Sequence, residues 1–144
     1  MIHASAQWTR ELQFEGKGNS GLTTVMDGDG KAGNSPTDLV LIALCGCTAY
    51  DVVSILQKKR EPFTKVEVRA QAEKAPEPPR VYTEIKLLYR VSGKVTTKAV
   101  EDAVRLSEEK YCSVSAMLSK TAKITYEIQL DSQPPLTTPS FHPQ

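Results

Sequence analysis

Residues 35–62 read SPTDLVLIALCGCTAYDVVSILQKKREP, and the reading of this stretch decides the fold. Ser35 is placed to cap a helix, Pro36 to occupy its first position, and Asp38 to take the third in a capping-box-like role. From Leu39 to Leu56 nearly every face is apolar: Leu39, Val40, Leu41, Ile42, Ala43, Leu44, Val52, Val53, Ile55 and Leu56. The β-branched content would also suit a strand, but the length and the caps select a helix. A helix apolar on all sides is expected to lie buried at the centre of its fold. Lys58-Lys59-Arg60 complements its C-terminal dipole, and Pro62 stops it.

The segments on either side read as strands. Upstream, Ile2, Ala4, Ala6 and Trp8 alternate with polar neighbours, and Leu12 and Phe14 continue the period of two. This predicts either a hairpin turning at Thr9-Arg10-Glu11 or one long strand. Gly16 to Gly21 is a turn, Leu22 to Met26 a third strand, and Asp27-Gly28-Asp29-Gly30 ends it with residues that tolerate positive φ. Downstream, Val66, Val68, Ala70 and Ala72 alternate, as do Val81, Thr83, Ile85, Leu87, Tyr89 and Val91. The Pro-rich turn 75–79 between them makes an antiparallel hairpin.

Thr96 or Thr97 then caps a second helix running to about Lys110, with Val100, Ala103, Val104 and Ser107 on one stripe. A short helix begins near Ser113 and takes in Val114, Met117 and Leu118. Ile124, Tyr126, Ile128 and Leu130 form a last strand. The order is three strands, a long buried helix, two strands, two helices and a strand, which is α+β and not an alternating parallel α/β fold. One domain is expected over 1–130. Residues 131–144 carry four prolines and no period, so a disordered tail is expected there.

Composition narrows the function. At 144 residues the chain fits a single domain with a real core. A net charge of +1, with Lys and Arg scattered, gives no electrostatic reason to expect nucleic acid or a membrane surface as partner. Met1 to Ser5 lacks a basic region followed by an apolar one, so no secretory leader is expected. The greasiest run, Leu39 to Cys45, is shorter than the roughly 20 residues of a membrane span. Three cysteines do not make a simple disulfide framework, and a reducing, cytoplasmic setting is expected.

Cysteine is the reactive residue in a suggestive place. His3 and His142 sit at the two ends, so no ordered histidine serves a Cys-His or Ser-His mechanism. Zinc is not expected, because Cys45-Gly46-Cys47 has one intervening residue and no histidine completes a set. Gly28, Gly30 and Gly33 are not framed by a strand and a helix, so no nucleotide fingerprint is present. Cys45 and Cys47 lie about 200° apart around their helix and face different neighbours. Beside Cys47 lie Ala43, Leu44, Tyr50 and Asp51, and a negative Asp51 one turn on opposes a thiolate there. Activation would need a cation from elsewhere; otherwise Cys47 is a buried structural thiol. Cys112 sits ahead of the short helix, where free N–H groups and the dipole would favour a thiolate; a core role at the helix junction is the alternative.

Two stretches carry a resemblance. Ser35-Pro36-Thr37-Asp38 through Leu44-Cys45-Gly46-Cys47-Thr48-Ala49-Tyr50-Asp51-Val52 resembles the signature helix of the OsmC/Ohr family, and Glu109-Lys110-Tyr111-Cys112-Ser113-Val114-Ser115 its second motif. The element order is similar over about residues 1–130. Val53-Ser54-Ile55-Leu56 and Lys58-Lys59-Arg60 are most like the bacterial YhfA-like branch. The resemblance implies an intertwined homodimer with sites at the subunit interface and the central helices buried between the sheets. It makes Cys47 the peroxidatic cysteine and Cys112 the resolving one, in a peroxidase for organic hydroperoxides. It suggests a dihydrolipoyl protein as thiol reductant, and neither a metal nor an organic cofactor. Family peroxidases activate the cysteine with an early-loop Arg and a Glu near the start of the helix. Arg10 precedes the helix and is the candidate for the first; Thr37 stands where the Glu would be, with Asp38 beside it. Arg60 reads as a helix-dipole partner. The alternative within the same fold is a thiol protein that binds a small apolar or electrophilic ligand without peroxidase chemistry, or a structural homodimer with inert cysteines.

Overall fold

A computed structural model of the chain describes residues 1–131, so the Pro-rich segment expected to be disordered lies outside the described residues except for Asp131. The chain forms two compact units, residues 1–42 and the remainder. In the first, β1 (Ser5–Arg10), β2 (Gln13–Lys17) and β3 (Thr23–Asp27) make an antiparallel meander. The hairpin reading holds, but the strand starts at Ser5, not Ile2, and the turn falls at Glu11-Leu12. Glu11 takes φ 46° there, and the indole N–H of Trp8 donates to its carbonyl at 2.8 Å. That side-chain bond stands in for the glycine a turn signal would have shown. After β3, the Asp27 carboxylate accepts the N–H groups of Asp29 (2.8 Å) and Ala32 (2.9 Å) and closes the following loop. The two oxygens' backbone donors, Ala32 first, hold its carboxyl below the usual range.

α1 (Pro36–Lys58) starts as the caps predict, with the Asp38 N–H donating to Ser35 Oγ at 3.2 Å. Its burial does not follow the expectation. Leu44, Thr48, Val52 and Leu56, spaced by four, are fully buried, whereas Val40, Ile42 and Tyr50 are 40%, 50% and 72% exposed. One row of this helix is thus buried from Leu44 to Leu56, Ile42 and Tyr50 leave an open stripe on its other side, and Val40, in line with the buried row, is exposed at the N-terminal end. Among the described helices α1 has the length and composition of a membrane span. Yet Asp51 well inside it is hydrogen-bonded to a serine of another element, a polar setting foreign to hydrocarbon.

The second unit is built on β5 (Tyr82–Gly93), paired antiparallel with β4 (Phe63–Lys74) and parallel with β6 (Lys123–Asp131). Ile85, Leu87, Tyr89 and Val91 alternate along β5 and are fully buried; Leu88 and Arg90 on its other face are also buried, as befits a central strand. On the helical side Val100 and Val104 of α2 (Thr97–Leu106) are fully buried, with Ala103 and Ser107 beside them. Arg90 is held by Glu67 and Asp131, both at 3.5 Å.

The predicted second helix does not stay regular to Lys110. From Ser107 to Tyr111 it widens into a π-turn, and the Cys112 N–H donates to the Ser107 carbonyl at 2.9 Å, five residues back. α3 (Ser113–Leu118) follows with Cys112 as its N-cap.

Candidate active site

Cys47 and Asp51 sit one turn apart on α1, and the π-turn delivers Cys112 beside them. The two sulfurs and an Asp51 carboxylate oxygen lie within 4.8 Å of one another. All three cysteines are free thiols. Cys112 is 3% exposed, while Cys47 and Asp51 are half-buried, so the cluster opens on the α1 side.

Ser107 ties the cluster together with two different atoms. Its hydroxyl donates to Asp51 Oδ2 at 2.9 Å, and its carbonyl accepts the Cys112 N–H. The Ser115 N–H donates to Cys112 Sγ at 3.2 Å. Behind Cys112 is a buried polar layer. The Tyr89 hydroxyl donates to Glu108 Oε1, and the Ser115 hydroxyl to Glu108 Oε2 at 3.3 Å. Thr48 returns its hydroxyl to the carbonyls of Leu44 (3.0 Å) and Cys45 (3.1 Å), a back-bond that satisfies a buried polar group.

The electrostatics correct one sequence-based expectation. The start of α3 was expected to favour a thiolate at Cys112, yet burial pushes this thiol up to about 12, and the adjacent Cys47 sulfur adds to the rise. The Ser115 N–H pulls the other way and loses. Desolvation outweighs one N–H donor, so Cys112 carries its proton at neutral pH. Burial likewise pushes the half-buried Cys45 thiol up, which keeps it protonated and unreactive. Glu108 is raised by burial, only partly offset by its Tyr89 and Ser115 donors. The Tyr89 phenol is pushed far upward by burial and then by Glu108, and stays protonated.

Of the residues singled out in the sequence, Cys47 and Cys112 come together. Arg10 is the exposed last residue of β1, in the first unit. Ser107, Glu108, Tyr89 and Ser115 are site residues that no sequence motif marks. The available signal was Ser107, a polar residue on an otherwise apolar helical stripe.

Glu108 gives a measurable pH effect. A carboxyl raised in the folded state contributes stability that is complete below its unfolded value, near 4.5, and is lost as pH rises through the folded value. Glu108→Gln keeps an oxygen for Tyr89 and does not ionise. Urea unfolding at pH 5 and pH 8 is expected to show the variant gaining on the wild type as pH rises. A pH-independent difference would mean that Glu108 is not desolvated.

The family model described as "OsmC-like protein" matches residues 28–127. The chain belongs to the OsmC-like family. Protein YhfA of Escherichia coli K12 is 43% identical over 131 residues, spanning 90% of this chain and 98% of that one. Among solved structures, a hypothetical protein from Aquifex aeolicus VF5 is 32% identical with a TM-score of 0.79, over 91% of this chain and 98% of that one. An organic hydroperoxide resistance protein from Elizabethkingia anophelis shares the fold alone, at 15% identity and a TM-score of 0.66, over 91% and 96%. The α+β arrangement expected from the sequence is the OsmC-like one.

Proposed function

We propose that this OsmC-like protein is a two-cysteine thiol peroxidase that reduces organic hydroperoxides to alcohols. The observation that carries the reading is the approach of the Cys47 and Cys112 sulfurs to within 4.8 Å, brought about by α1 and the π-turn. The Cys47 thiolate attacks the outer peroxide oxygen; the O–O bond breaks, the alkoxide takes a proton, and Cys47 becomes a sulfenic acid. The Cys112 sulfur then displaces the sulfenic hydroxyl, whose oxygen leaves as water with the Cys112 proton, forming a disulfide. Two electrons from an external dithiol, a dihydrolipoyl protein by family resemblance, restore both thiols.

Arg10 as the activating cation, a homodimer that covers the open stripe of α1, a single domain over 1–130 and a cytoplasmic location belong to the same proposal. The exposure of Val40, Ile42 and Tyr50 supports the dimer. A second reading, a thiol protein that binds a small ligand without turnover, is favoured by Asp51 in the cluster and by Thr37 in place of the family glutamate.

One equivalent of cumene hydroperoxide added to the reduced protein tests the proposal, with free thiols counted by mass spectrometry. Loss of two thiols with a mapped Cys47–Cys112 bridge is expected; no change within minutes would favour the second reading. Cys112→Ser is expected to complete a single reduction of peroxide and hold a sulfenic acid at Cys47, trapped by dimedone. Sustained turnover of that variant with a dithiol would remove Cys112 from the cycle.

A further inference from the structure

Asp51 is an awkward neighbour for a nucleophilic thiol, since a carboxylate opposes a second negative charge beside it. The fold nevertheless fixes it there: Ser107 donates to Oδ2 at 2.9 Å and in the same residue accepts the Cys112 N–H. Two sulfurs and a carboxylate oxygen converge within 4.8 Å. These donors are not the sequence-adjacent pair Cys45 and Cys47; they come from two turns of α1 and the cap of α3. We propose that Cys47, Asp51 and Cys112 of the reduced protein form a three-ligand site for a thiophilic divalent cation, with water in the fourth position.

The chemistry of the donors selects the ion. Two sulfurs and one oxygen suit Zn²⁺ and exclude Mg²⁺ or Ca²⁺, which take oxygen sets. Bonds of about 2.3 Å to sulfur and about 2.1 Å to oxygen place tetrahedral ligand atoms roughly 3.5–3.8 Å apart. The observed cluster therefore needs to close by only about 1 Å, within reach of side-chain rotation. A bound cation turns the repulsion among the three groups into attraction, and each coordinated thiol gives up its proton. Ser107 orients Asp51, Ser115 fixes the Cys112 sulfur, and Cys112 lies at the closed end, so the fourth position faces the half-buried side.

The ion also regulates the proposed peroxidase, a consequence that rests on that reading while the binding itself does not. With both sulfurs engaged by the metal, no free thiolate meets the peroxide. Conversely, the disulfide form has lost both sulfur ligands and releases the ion.

The test titrates fully reduced, full-length protein with Zn²⁺ by calorimetry and with Co²⁺ by absorption, without peroxide. One ion per chain is expected, with the charge-transfer and visible bands of tetrahedral cobalt–thiolate. Cys45→Ser should leave both unchanged, Cys112→Ser should weaken binding at least about 100-fold, and Ser107→Ala about 10-fold or more. Asp51→Asn, a near-isosteric change that keeps the fold, should weaken binding about 10-fold or more while the sulfur bands persist. Absence of saturable binding, or binding that survives Cys47→Ser with Cys112→Ser, would overturn the site. Unchanged affinity in Asp51→Asn would overturn the three-ligand set. Zn²⁺ should then slow thiol loss to cumene hydroperoxide at least about 10-fold, reversibly with EDTA; an ion that binds without slowing it overturns the regulation. If the metal-free protein ignores peroxide but the cobalt bands appear, the peroxidase reading falls and the metal site stands.

Discussion

Cys47→Ser is expected to reduce hydroperoxide consumption by at least about 10³-fold, with dithiothreitol or dihydrolipoamide as reductant. The reaction needs a soft, polarizable anion that can attack the O–O bond and survive as a sulfenic acid; a serine hydroxyl offers neither. The substitution is nearly isosteric at a half-buried position of α1, so folding should be affected little. The helix stripe Leu44, Thr48, Val52 and Leu56 that anchors α1 is untouched. Peroxide remaining after fixed times, read alongside the circular dichroism of the variant, separates lost chemistry from lost structure. Undiminished turnover in a folded variant would show that another group is the nucleophile. Cys112, protonated at neutral pH by its burial, is a poor substitute.

The largest effect on stability is expected from Gly93→Ala. Gly93 closes β5 opposite Phe63 with φ +116°, a conformation side chains rarely adopt. An added Cβ would lie 2.5 Å from the Pro62 carbonyl oxygen, 2.9 Å from Phe63 Cα and 2.9 Å from the Thr64 nitrogen. These are backbone atoms, so no side-chain rotation relieves the clash. Backbone strain of about 1–3 kcal/mol and overpacking of similar size together predict a loss of roughly 3–5 kcal/mol. Thermal unfolding should shift down by on the order of 10 °C. A shift of under about 2 °C would mean that the β4–β5 junction yields easily.

What could be read from the chain follows the range of each interaction. The start of α1 is written in Ser35, Pro36 and Asp38, three neighbours, and it forms where they place it. The β4–β5 hairpin and the Val100, Ala103, Val104 and Ser107 stripe are equally local, and their periods suffice. The β1–β2 turn misleads because its determinant is an indole bond from Trp8, not a turn residue. The parallel pairing of β6 with β5 has no local signature, since nothing in Lys123–Asp131 names its partner. Glu108 reads as one more surface charge until Tyr89, brought by a different strand, donates to it. Cys112 shows the limit most clearly. Its helix-capping position is visible in the sequence, but the burial that overrides the cap is a property of the packed chain.

The widened turn at Ser107–Tyr111 can also be seen as a helix carrying one surplus residue. Removing one, Lys110 for instance, would let the ladder close four residues back, as in a regular α-helix. The Cys112 N–H would then close an ordinary helical turn on the same Ser107 carbonyl that it now reaches across the wide one. The position from which Cys112 faces Cys47 thus depends on the width of a single turn, and the surplus residue is what sets that width.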